Sequence, residues 1–296
     1  MSHSYREPRA EDKPMAPVDW SFLLIVSSIW GASFLFMAIA LEDFEPGLVT
    51  LLRVGLGFVT LALLPAARRP IPRVAWRRIA MLGVTWMALP LTLFPIAQQW
   101  INSSMTGMLN SAMPIAAVLV AWIGFGIPTG PRRLGGVAVG ITGIVIIGVP
   151  EASTAGTNAA GVLLVIVAVT SYGIAASIAG PLQREYGSVP VVFRALGVAC
   201  VLCLPLGIVD GLGSSFGWTS FAACVAVGVG GTGIAFAIAA TLNGRVGAVR
   251  MSLVTYIIPI VAIVLGVWFR DETVSIWAVL GTVVVIGGAF LSSRVD

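Results

Sequence analysis

Histidine occurs once in this chain, as His3, and charged side chains make up only 10% of its 296 residues, against roughly 25% in an ordinary soluble domain. A single imidazole in a polar stretch disfavours histidine-based metal centres, Ser-His-Asp triads and imidazole proton relays together. Cysteine is nearly as scarce. Cys200, Cys203 and Cys224 are an odd set inside apolar runs, and the C-x-x-C at 200–203 has neither a flanking histidine nor a second pair. They read as small buried hydrophobes, and no cofactor or metal is expected. The net charge of +4 does not point to nucleic acid, because the basic residues fall in short clusters rather than on one aromatic-interleaved face.

What the chain has instead is apolar length. Hydrophobic residues are 58% of the total, mean hydropathy is +0.99, and 34 glycines with 17 prolines suit membrane helices. A helix crossing a hydrocarbon core of ~30 Å needs about 20 mostly apolar residues. Ten such windows can be marked, at 18–40, 47–66, 76–98, 102–123, 134–149, 160–181, 189–208, 217–241, 247–269 and 274–292. The expected fold class is therefore an all-α integral membrane protein of ten transmembrane helices. Residues 1–17 lack the apolar core of a signal peptide and read as a polar tail.

Basic residues set the expected orientation. With the N-terminus cytoplasmic, that side receives Arg6, Arg9, Lys13, Arg68, Arg69, Arg73, Arg77, Arg78, Arg132, Arg133, Arg184, Arg245, Arg250 and Arg294, and the other side receives Arg270 alone. The positive-inside rule demands such a split. Both termini, the tail at 1–17 and residues 294–296, are expected in the cytoplasm. Trp20, Trp76, Trp100, Trp122, Trp218, Trp268 and Trp277 fall near helix ends, where indoles favour the interface.

The chain is also doubled. Slid against itself by about 141 to 145 residues, it aligns Trp30-Gly31 with Tyr172-Gly173, and Leu41 to Arg53 with Leu182 to Arg194. Gly83 meets Gly228, Pro114 meets Pro259, Gly136 meets Gly281 and Gly143 meets Gly288. Five helices align with five. Because five is odd, the second copy (150–293) must enter the membrane from the side opposite to the first (18–149), giving an inverted repeat. Transporters built this way hold substrate near the midplane between the halves.

These residues resemble the drug/metabolite transporter superfamily in its ten-helix EamA branch, over residues 18–293. The resemblance is carried by Trp30-Gly31-x-x-Phe34, Arg53, Pro114, Arg194, Pro259, the Asp271-Glu272 turn and the Gly281/Gly288 spacing. The first copy departs from it, with Ile127 and Pro128 where an acidic turn would stand. Mid-helix aromatics make the chain most similar to the YddG-type exporters of aromatic amino acids. The resemblance implies a bacterial inner-membrane secondary transporter of small metabolites, working in the lipid bilayer by alternating access, with a monomer as the expected assembly.

Trp30, Trp86 and Tyr172 lie at mid-helix, the wrong depth for interfacial anchors, so each either lines a cavity or joins a core or lipid-facing stack. Trp30 and Phe34 share a helix face. Pro114 and Pro259 free the carbonyls of Asn110 and Thr255, so helices 4 and 9 are expected to kink near the midplane. Asn110, Ser111, Thr255 and Tyr256 then either bind a zwitterion or satisfy the kinks. Arg53 and Arg194, about two turns inside their helices, either bond carbonyls at helix ends as gates, reach the nearest surface, or touch substrate. The glycine run 228–233 lacks the Lys-Ser/Thr of a phosphate loop and reads as close helix packing.

The leading function is export of amino acids with aromatic or apolar side chains. The expected interiors contain no carboxylate, which favours a facilitator over a proton-coupled exporter of nucleosides or quaternary amines. A channel would call for a filter motif, which is missing. An embedded enzyme would call for an interior acid or base, so no enzymatic activity is expected.

Overall fold

The computed structural model describes residues 15–152 and 158–293; the expected cytoplasmic ends at 1–14 and 294–296 lie outside the described residues. The described chain is helical throughout. Its principal helices are α1 (Pro17–Ala40), α2 (Pro46–Ala62), α3 (Arg73–Ala97), α4 (Ser103–Gly124), α5 (Pro131–Gly148), α6 (Ala159–Tyr186), α7 (Ser188–Gly213), α8 (Trp218–Gly247), α9 (Leu253–Arg270) and α10 (Ile276–Ser293). Among the described residues nine are long and apolar enough to cross a membrane, and α2, at 17 residues, is the shorter exception. It stops before the expected residue 66 because Leu64, which precedes Pro65, is extended. Conversely, α6 and α7 run past Pro181 and Pro205 to Tyr186 and Gly213, beyond the ends expected at 181 and 208.

The perimeter is apolar in a way that water would not tolerate, with Leu212, Val201, Val283 and Phe269 all largely exposed. The seven tryptophans expected near helix ends are exposed, whereas Trp30 and Trp86 turn inward. Two buried clusters fill the bundle. One runs through α1, α4, α5, α6, α8, α9 and α10 and reaches Val49 of α2 and Phe94 of α3, and the other joins α2, α3, α6 and α7.

Helices cross most closely at glycine. On α1, Gly31 lies against Ile258 and Val261 of α9, and on α6, Gly173 lies against Ala116 and Ala117 of α4. Gly83 of α3 meets Ala195 and Val198 of α7, while Gly228 of α8 meets Arg53 and Leu56 of α2. Between α5 and α10, Gly136 faces Gly288 and Gly143 faces Gly281. A methyl group at Gly143 would sit 2.7 Å from the Gly281 carbonyl oxygen, so only a missing side chain permits the approach. Exchanging each glycine for its counterpart about 142 to 145 residues away maps the last pair of contacts onto itself.

Three stretches are π-helical: Gly83–Ala88 in α3, Val120–Gly124 in α4 and Ala226–Ile234 in α8. Such segments are rare and concentrate at functional positions. In α4 the helix is interrupted at Ser111 and Ala112, whose amides donate to the carbonyls three residues back, Met108 and Leu109, at 3.1 Å. That tightening precedes Pro114, which has no amide to offer Asn110. The expected counterpart at Pro259 differs, since α9 runs unbroken through that proline and the interruption falls earlier, at Ser252.

Candidate functional site

A cavity of about 150 Å³ opens where the two clusters meet, lined from both halves of the chain. The first half contributes Trp30, Ser33 and Phe34 from α1, Arg53 from α2, Trp86, Leu91 and Phe94 from α3, and Asn110 and Met113 from α4. The second half contributes Tyr172 from α6, Phe236 from α8, and Thr255 and Ile258 from α9. The mid-helix positions of Trp30, Trp86 and Tyr172, and the Asn110/Thr255 pair beside the prolines, therefore converge on one space.

The walls are aromatic. Phe236 stands edge-on to both Trp30 and Trp86, with ring centroids 5.3 and 5.4 Å apart, and Phe94 contacts Phe34 and Tyr172 at 5.6 and 5.9 Å. Edge-to-face pairs at such spacing stabilise one another beyond simple burial. The π-helical stretch of α8 fixes two of the lining side chains. Gly231 accepts the indole N–H of Trp30 at 2.9 Å, and the Thr232 hydroxyl accepts Arg53 Nε at 3.2 Å. The glycine run thus does more than allow close packing.

Several polar groups remain unengaged. Among the described residues, the Asn110 amide, the Thr255 and Tyr172 hydroxyls and the Trp86 indole N–H make no side-chain hydrogen bond, although each belongs to a cavity-lining residue. These groups therefore present free donors and acceptors to the cavity.

Two expected site residues lie elsewhere. Ser111 is fully buried and donates its hydroxyl to the Met108 carbonyl at 2.5 Å, satisfying the helix interruption. Tyr256 packs against the larger core cluster, and its buried hydroxyl has no partner among the described residues. The two arginines separate as well. Arg194 donates to the carbonyls of Ala67, Pro190 and Arg69 at 3.1, 3.1 and 2.7 Å, tying α7 to the α2–α3 connection. Arg53 bonds no carbonyl among the described residues and faces the cavity. Phe94, Phe236, Leu91, Met113 and Ile258 had no signal in the sequence beyond lying within apolar runs.

The ends of the bundle are closed by polar ties. Where α1 meets α2, Glu42 pairs with Arg270, Asp43 accepts from the Ser220 hydroxyl at 2.6 Å, and Asp210 accepts the Gly47 amide at 2.7 Å. Glu272 accepts the amides of Ser103 and Ser104, both at 2.9 Å, at the N-terminus of α4. A second cavity of about 380 Å³, lined in part by Glu42, Gln98, Asn102, Arg270 and Glu272, lies at this end. At the opposite end Asp19 and Arg245 form an ion pair at 2.5 Å.

Comparison with known proteins gives a consistent picture. The EamA-like transporter family matches this chain twice, over residues 20–149 and 159–294. An uncharacterized transporter of Bacillus subtilis, YoaV, is 23% identical over 92% of this chain and 95% of its own length. A probable terminal-alkyne amino-acid exporter of Streptantibioticus cattleyicolor is 25% identical over 93% of each. A solved crystal structure superposes with a TM-score of 0.63 at 18% identity, covering 94% of this chain and 97% of the other, a likeness of fold alone.

Proposed function

The chain belongs to the EamA-like transporter family, a multi-span membrane transporter, and on that premise we propose that it exports amino acids with aromatic or apolar side chains, as YddG-type exporters do. One observation carries this reading: a space lined by six aromatic rings from both halves, with an unengaged amide and hydroxyls among them. Aromatic walls take up an apolar body, and convergent polar groups fix its orientation. The exporter of Streptantibioticus cattleyicolor, named for an amino acid cargo, agrees with it.

The proposed architecture is ten transmembrane helices in two inverted five-helix repeats, with both termini cytoplasmic in a bacterial inner membrane. The short α2 supplies the tenth span, thinning the bilayer locally or burying its ends among its neighbours. Glycine crossings related by exchange of the halves support the repeat. Alternating access then rocks one half against the other around the cavity, breaking the ties at one end while keeping those at the other. Pro114, Pro259 and Arg194 act at the gates. A cationic drug as cargo is disfavoured, because the charged group in the lining is itself a cation.

The test is counterflow in liposomes containing the purified protein and preloaded with amino acids, nucleosides or quaternary amines. Phenylalanine, tryptophan and leucine are expected to exchange, and nucleosides and quaternary amines are not. Exchange of nucleosides or quaternary amines alone would overturn the reading.

A further inference from the structure

Among the described residues, Arg53 is the only charged side chain lining the central cavity. It is 7% exposed, and its described partners are weak for a guanidinium: the Thr232 hydroxyl at Nε and the Met37 sulfur at Nη1, 3.1 Å away. Nη2 has no partner among the described residues. Among the described residues no carboxylate pairs with Arg53 or lines the cavity, and the Asp19–Arg245 and Glu42–Arg270 ion pairs both lie away from it. A buried charge is costly unless paired, and arginine's planar fork matches a carboxylate with two parallel bonds. The missing anion is therefore a natural part of the cargo.

We propose that Arg53 docks the carboxylate of the transported solute, so that the site selects monocarboxylates with an aromatic or apolar body and treats the ammonium of an amino acid as dispensable. An ammonium finds no anion in the lining. It meets the Asn110 amide, the Ser33, Thr255 and Tyr172 hydroxyls and ring faces. Those neutral groups serve a keto oxygen or an acylated nitrogen as well as an ammonium, since an amide both donates and accepts and a hydroxyl does the same. The inference rests on the reading of this cavity as the cargo site and narrows the chemistry that reading admits.

The experiment compares phenylalanine, N-acetylphenylalanine, phenylpyruvate and phenethylamine. Binding to the detergent-solubilised full-length protein is followed by calorimetry, and counterflow is followed in liposomes, for the wild type and for Arg53→Gln and Arg53→Lys. The three carboxylates are expected to bind the wild type within about an order of magnitude of one another, and phenethylamine not to bind measurably. Arg53→Gln is expected to weaken the carboxylates about 10- to 150-fold, the range for a charge-assisted hydrogen bond, and Arg53→Lys to weaken them less. Equal binding of phenethylamine and phenylalanine, exclusion of N-acetylphenylalanine and phenylpyruvate, or no binding of any carboxylate would overturn the proposal using the wild type alone. Carboxylate binding without counterflow would instead overturn the transport reading and leave the docking role intact.

Discussion

Trp30 shows how one side chain can be both wall and strut. Its indole N–H is held by the Gly231 carbonyl, so the ring cannot swing away from Phe236 without giving up that hydrogen bond. Trp30→Ala and Phe236→Ala are each expected to weaken transport of phenylalanine two- to twelvefold more than transport of threonine, from a ring contact of roughly 0.5 to 1.5 kcal/mol. Concentration dependence of counterflow for the two solutes checks this, and equal losses for both would assign the residues to folding. Depth made Trp30, Trp86 and Tyr172 legible in the sequence, because an indole or phenol in mid-helix has no interfacial role. Phe236 was not legible, since a phenylalanine in an apolar run looks the same whether it faces lipid, core or cavity. The polar residues divided for a related reason: Asn110 and Ser111 are neighbours on a helix and so point about 100° apart, which sends one to the cavity and the other to its own backbone.

At the scale of elements, the glycine periodicity of α5 and α10 gives the sharpest contrast. A methyl group on Gly288 would press on the Gly136 carbonyl oxygen at 2.6 Å, backbone that cannot give way, whereas at the adjacent Gly287 it would meet nothing within 4 Å. Gly288→Ala is expected to destabilise the protein by about 1 to 3 kcal/mol and Gly287→Ala to leave it unchanged or slightly more stable. Thermal denaturation in detergent checks the pair, and equal shifts would remove the crossing from the account of stability. Here the glycine register was readable, because Gly136 and Gly143 and their counterparts 145 residues on, Gly281 and Gly288, all lie at this crossing. Helix ends were less readable, since α6 and α7 continue past the ends expected at 181 and 208 to Tyr186 and Gly213. The same holds for the kinks. The interruption beside Pro114 and the unbroken course of α9 through Pro259 predict that Pro114→Ala slows turnover several-fold more than Pro259→Ala, without loss of expression, because only the former would restore a regular helix at an existing break. Equal effects on initial counterflow rates would contradict that asymmetry.

For the molecule as a whole, the question is what drives its cycle. Proton coupling needs a group whose protonation changes with access, which in a membrane core is usually Asp, Glu or His. Five carboxylates at the ends of the bundle are instead engaged in ties: Asp19 with Arg245, Glu42 with Arg270, Asp43 with Ser220, Asp210 with Gly47, and Glu272 with Ser103 and Ser104. None belongs to the cavity lining, where a proton could compete with cargo. Glu272 is the most consequential of them, since it reaches from the α9–α10 connection to the first turn of α4 and so joins the second half of the chain to the first. In the proposed alternating-access cycle, opening this end would break those bonds, and a carboxylate held by two amides would be a latch whose release the membrane potential does not assist when the cargo is a zwitterion. The protein is therefore expected to equilibrate a zwitterionic amino acid rather than concentrate it. In liposomes, net efflux of phenylalanine should proceed at the same rate with and without an imposed pH gradient, and Glu272→Gln should alter that rate, by loosening the latch, without changing its indifference to the gradient. Uphill accumulation driven by the gradient in the wild type, and lost in Glu272→Gln, would make Glu272 a coupling site and end the facilitator reading.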